Sequence, residues 1–186
     1  MGRRSMRDQR RAELTAAFAR VLAEHGYAGA TIAAVAQEAG VSPGLVHHHF
    51  ASKEDLLDSL VDELLRRFRE RTRTSERTHG PLDAYVAAAV ALDATSDMIA
   101  ARCWVAVFAE AIREPALFAR MRRLVDTEIE AIRRRSNQRF SPQDAGAVLA
   151  FIMGSLVIGA FAPRKTAGFA APAAHALIGQ LAELSR

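Results

Sequence analysis

The sequence predicts an all-α chain: an N-terminal three-helix domain followed by a larger helical domain. Three observations carry this. Apolar residues recur at helical spacing along most of the 186 residues, with no strand-like alternation and no fixed-period repeat. Pro43, Pro81, Pro115 and Pro142 each stand where a helix can begin, and glycines stand near the ends. Residues 31–50 read as two short helices around a tight turn. The chain is 50% hydrophobic, enough for a substantial core in one or two small domains. The division is expected at 1–53 and 54–186, with a helix from residue 52 joining the parts.

The first helix is expected from Met6 to Glu24, burying Leu14, Ala17, Phe18, Val21 and Leu22, with Gly26 as its stop. Ahead of it Arg3, Arg4, Arg7, Arg10 and Arg11 crowd the terminus, opposed only by Asp8. Such a basic arm can follow a phosphate backbone or enter a minor groove; the alternative is a solvated terminus. Thr31 is the N-cap of the second helix, whose inward face holds Ile32, Val35, Ala36 and Ala39. Gly40 supplies the turn, Val41 plugs the core, and Ser42 caps a third helix that opens on Pro43. Val46 and Phe50, four apart, point inward. Gly44 and His48, flanked by Leu45 and His47, point outward, and His49 lies nearer the edge.

That outward face suits the DNA major groove. Small residues permit close approach, imidazoles form hydrogen bonds, and Leu45 can meet a thymine methyl. Pro43, Gly44, Leu45 and His48 would meet base edges. Thr31, Ser42, His49, Lys53, Arg4 and Arg7 would hold phosphates.

Ser52 caps the fourth helix, and Asp55 three residues on nearly completes a capping box. Leu56, Leu57, Leu60, Val61, Leu64, Leu65 and Phe68 form its inward stripe. The polar run from Thr72 to Gly80 reads as a break. Helices are then expected at about Leu82–Asp93, Asp97–Arg113, Pro115–Gln138, Pro142–Ala162 and Gly168–Ser185. In the fourth of these almost no polar face remains, so it must be buried on several sides. No apolar run is read as long enough to span a bilayer, no signal-peptide core is seen, and no membrane partner is expected. A cytoplasmic location follows.

Other chemistries find little support. His47, His48 and His49 are consecutive, and side chains about 100° apart on a helix do not converge on one metal ion. Cys103 beside Arg102 is either a redox-sensing thiol or an inert buried one, and it excludes an intrachain disulfide. The pairs Asp93/Asp97 and Glu110/Glu114 read as solvent-facing carboxylates. The arginines at 120, 122, 123 and 133–135 read as a solvated face. No nucleophile–base–orienter set, P-loop or nucleotide fingerprint is found, so no enzyme and no cofactor is expected.

Residues Thr31, Ile32, Val35, Ala36, Ala39, Gly40, Val41, Ser42, Gly44, Val46, Phe50, Lys53 and Leu56 resemble the DNA-binding domain of the TetR family of transcriptional regulators. The family pattern has tyrosine at 47 and often at 49, where phenols contact phosphates; here 47, 48 and 49 are all histidine, so the resemblance implies that His47 holds a phosphate and that a pH-dependent affinity is to be expected. The resemblance implies a homodimer built by the last two helices and a pseudo-palindromic double-stranded operator. It further implies a small-molecule effector of unknown identity that releases a repressor. A non-allosteric or architectural DNA-binding protein is the alternative, an all-α enzyme a more distant one.

The segment Met98–Pro115, with Trp104 and Phe108 four apart and Leu117 after Pro115, is similar in outline to the BetI-type subgroup. That likeness implies an effector site among Met98, Cys103, Trp104, Phe108, Met121 and Phe151, and a quaternary amine is one ligand it suggests. The same residues would also serve as ordinary core.

Overall fold

The computed structural model describes the backbone of residues 3–77, 80–91, 95–166 and 168–184, and among these the side chains of all but 3–5, 95–97 and 165. The described elements are all helical, as expected. Helix α1 spans Arg3–Gly29. It starts three residues ahead of the expected Met6, so Arg3 and Arg4 already belong to its backbone. Gly26 (φ +67°, ψ 179°) leaves helical geometry where the stop was expected, in a backbone region that glycine enters without a Cβ clash.

Helices α2 (Ile32–Ala39), α3 (Pro43–His49) and α4 (Lys53–Ser75) follow, each opened by a hydroxyl cap. Thr31 Oγ1 accepts from the Ala34 N–H at 3.1 Å, Ser42 Oγ from Leu45 at 3.3 Å and Ser52 Oγ from Asp55 at 3.2 Å. Gly40 (φ +65°) ends α2, and the Val41 N–H returns to the Ala36 carbonyl at 2.9 Å. The reciprocal bond expected at Ser52 goes elsewhere: the Asp55 carboxylate accepts from the Ala51 N–H at 3.1 Å. A complete capping box forms instead between Ser141 and Asp144.

Helix α4 runs four residues into the expected break, from Thr72 to Ser75. The Thr72 and Thr74 hydroxyls donate to the Phe68 and Glu70 carbonyls, each at 3.0 Å, so the polar run closes on its own helix. Helices α5 (Pro81–Val90), α6 (Thr95–Ala111), α7 (Pro115–Arg135), α8 (Pro142–Phe161), α9 (Pro163–Thr166) and α10 (Ala170–Leu184) complete the chain. Helix α7 stops short of Gln138 because Asn137 and Gln138 turn left-handed, at φ 55° and 60°. The single turn α9 was read from sequence only as a connection around Pro163.

Among the described residues the interior holds two large apolar clusters and a small third around Ala101 and Ala160. The first joins α1–α4 to Cys103, Val107, Ala111, Leu117 and Met121, so it crosses the expected boundary at 53. The second gathers Leu82, Tyr85, Val86, Ile132, Phe140, Val148 and Ile152 with Ala170 and Ala174. Helix α8, 20 residues long with a mean hydropathy of 1.9 over an 18-residue window, is long and apolar enough to cross a membrane, contrary to the expectation of no such run. Its Val148, Leu149 and Ile152 are buried in the second cluster, whereas Val157, Ile158 and Phe161 are exposed.

Candidate nucleic-acid interface and ligand cavity

The geometry of α3 follows from its two faces. Val46 and Phe50 are buried against α1 and α2, while Ser42, Pro43, Gly44, His47 and His48 are exposed and Leu45 is half-buried. A Cβ at Gly44 would meet only Ser42 Oγ, at 3.9 Å, so nothing in the chain demands glycine there. Thr31 is exposed at the start of α2.

His49 does not take the edge position read from sequence. It is buried, at 9% exposure, and its Nδ1 has no hydrogen-bond partner among the described residues. The cause is periodicity: residue 49 is three after Val46 and so shares the inward face. Its ring meets His48 edge-on at 5.1 Å. Burial, then His48, Arg7, Arg11 and Arg10, hold the His49 imidazole below its ordinary value of 6.5. The folded chain therefore binds fewer protons here than the unfolded one. Stability should be full above pH 6.5 and decline as pH falls below it. Urea midpoints at pH 7.5 and 5.5 test this: the gap should narrow in His49→Gln, and an unchanged gap would refute the assignment.

The basic residues divide sharply. Arg11 donates to the His49 carbonyl, pairs with Asp55 at 3.4 Å and lies 4.0 Å over the Phe50 ring. Arg10 pairs with Glu13 at 2.6 Å. Arg11 thus fastens α3 and α4 to α1, whereas Arg10 is tied within its own helix. Arg7 is exposed beside His49, and the side chains of Arg3 and Arg4 lie outside the described residues. Lys53 is half-buried: its Nζ donates to the Tyr27 carbonyl at 2.7 Å and sits 3.9 Å over the Tyr27 ring. It ties the start of α4 to the end of α1, a partnership 26 residues apart that sequence reading missed.

A cavity of about 730 Å³ opens among α4, α5, α6, α7 and α8. Trp104 and Phe108 line it, with ring centroids 5.9 Å apart. Four other expected ligand residues do not. Cys103 turns toward α1, where its thiol donates to the Ala19 carbonyl at 3.3 Å and burial pushes it up to about 12. Full burial and this bond favour the inert thiol over the redox-sensing one. Met121 is buried in the first cluster, Phe151 packs on the second, and half-buried Met98 lies outside the lining. Helix α4 instead supplies Leu64, Leu65 and Phe68, and α8 supplies Ile152 and Met153.

Tyr85 and Glu128 were also missed; the Tyr85 hydroxyl donates to Glu128 at 2.6 Å. Burial first, and then the Glu128 charge, push the Tyr85 phenol well above its usual range. One signal was available: Glu128 interrupts the inward stripe Leu117, Met121, Leu124, Val125 and Ile132 of α7. Among the other carboxylates, Glu114 caps α7 by accepting from the Ala116 N–H at 3.3 Å. Asp93 and the side chain of Asp97 lie outside the described residues. Among the described residues no three metal-ligating side chains cluster.

Residues 14–60 match the family described as bacterial regulatory proteins, tetR family. A curated relative, the HTH-type transcriptional regulator BetI of Paraburkholderia phytofirmans, is 34% identical over 122 residues, which are 63% of this chain and 62% of the relative. The family match places a tetR-type domain at residues 14–60. The chain spans about three fifths (62%) of the length of that curated relative, and likewise of the BetI of Burkholderia thailandensis, also at 34% identity. Among solved structures, a transcriptional regulator from Rhodococcus sp. Rha1 superposes with a TM-score of 0.81 at 25% identity, covering 93% of this chain and 96% of that one. A regulator from Saccharomonospora viridis, solved in complex with choline, shares the fold at a TM-score of 0.74 and 20% identity, over 92% and 96% of the two chains. The tetR match and the outward face of α3 thus fall on the same residues.

Proposed function

We propose that this chain is a cytoplasmic DNA-binding transcriptional repressor released from its operator by a small molecule held in the cavity. The observation that carries the reading is α3: a capped seven-residue rod, anchored by Val46 and Phe50, that presents Pro43, Gly44, His47 and His48 to solvent. A glycine that the fold does not require suits backbone approach to a base edge. Thr31, Ser42 and Arg7 flank the rod and are exposed for phosphates. Residues 1–53 act as the reading unit and 54–186 as the effector and dimer unit.

Coupling is supported by α4, whose first turn is bonded to Tyr27 and whose Leu64, Leu65 and Phe68 line the cavity. A second copy docked on α8 and α10 would cover the exposed Val157, Ile158 and Phe161 and set two α3 rods on a pseudo-palindrome.

Fluorescence anisotropy on a duplex selected from randomised DNA tests the reading. His48→Ala should cost about 1–3 kcal/mol on the selected site and relax the choice of sequence. Arg7→Ala should weaken all sequences alike and lower the salt slope by about 1. Parental binding by both variants would overturn the docking. Lys53 acts chiefly through Tyr27 in this reading, so its loss should register in stability as well as in affinity.

A further inference from the structure

We infer that the cavity takes a bulky, largely apolar organic cation, with Glu128 as its counter-charge and as the residue that sets the preferred sign. The inference rests on the effector-binding part of the proposed function and deepens it. Its basis is the state of the charged groups in the wall. Arg67 donates to Glu63 at 2.6 Å, Glu70 accepts from Arg66 at 2.6 Å, and Arg71 is also partnered. Glu128 differs. Among the described residues its carboxylate takes the Tyr85 hydroxyl, and no Lys or Arg pairs with it.

A hydroxyl stabilises a carboxylate without cancelling its charge. Arg135, which approaches the Tyr85 ring at 5.0 Å, is paired with Glu76 at 3.5 Å. An anion entering this space would meet Glu128 in surroundings too apolar to screen the repulsion, whereas a cation would find its partner. The aromatic faces act in the same direction. Phe68 stands edge-on to Tyr85 at 5.2 Å, and Trp104 and Phe108 complete a wall whose π-electrons attract positive charge. Size sets the rest of the class. About 730 Å³ matches a drug-sized molecule, and a small ammonium compound would leave most of the apolar wall uncovered.

The test uses two ions of the same shape and opposite sign, tetraphenylphosphonium and tetraphenylborate, with choline as the small cation. Trp104 is the chain's single tryptophan and lines the cavity, so its fluorescence reports occupancy directly. Tetraphenylphosphonium should quench it saturably. Tetraphenylborate and choline should each bind at least about tenfold more weakly. Glu128→Gln keeps the shape and a hydrogen-bond acceptor for Tyr85; it should weaken tetraphenylphosphonium about tenfold and narrow the preference for positive charge. Equal or tighter binding of the borate, or unchanged phosphonium affinity in Glu128→Gln, would overturn the inference. The readout needs no DNA. Anisotropy on the selected duplex decides the regulator reading separately, and intact DNA binding without the charge preference would defeat only this inference.

Discussion

Phe50→Ala is expected to lower the stability of the chain by about 3–5 kcal/mol and to abolish sequence-specific DNA binding. Phe50 is 1% exposed and closes α3 from below. Its ring also carries the Arg11 guanidinium, which in turn holds the His49 carbonyl and Asp55. Removing the ring leaves a cavity in a tightly packed region and frees Arg11 from its seat, so α3 loses its fixed bearing on α1 and α4. Urea denaturation followed by circular dichroism measures the loss. A change below about 1 kcal/mol would show that the site collapses around the void or that Phe50 contributes little.

The second large effect concerns association. Ile158→Asp with Phe161→Asp is expected to weaken the proposed dimer by about three orders of magnitude or more, since each carboxylate buried without a partner costs several kcal/mol. Ile158 is 50% and Phe161 78% exposed in the single chain, so neither change should disturb the fold. Sedimentation velocity reads the outcome, with circular dichroism as the control. A double variant that associates like the parent would place the interface elsewhere.

What could be read from the amino acids alone was local. Thr31, Ser42 and Ser52 cap through atoms three residues away, and Gly26 and Gly40 turn where a left-handed backbone is needed. The outward set of α3 follows from the same short-range geometry, and so does the burial of His49, three residues after Val46. The Asp55 bond to Ala51 fell outside because one residue of backbone placement decides which N–H a carboxylate reaches. The cavity was harder to see. Tyr85 and Glu128 are 43 residues apart, and Lys53 and Tyr27 are 26 apart. Nothing in the spacing within one helix states which neighbour another helix will bring. Cys103 and Met121 carried the right apolar chemistry but lie on the faces of α6 and α7 turned toward the first cluster.

The length of α4 has a further consequence. Twenty-three residues make a rod about 34 Å long at 1.5 Å per residue. Pivoting such a lever by ten degrees at its cavity end would swing its Ser52 end by about 6 Å. Successive major grooves on one side of a duplex recur every 34–36 Å or so, a pitch that two coupled readers must both match. An angular strain too slight to disturb the packing around a bound molecule is thereby magnified into a mismatch of a sizeable fraction of a groove width.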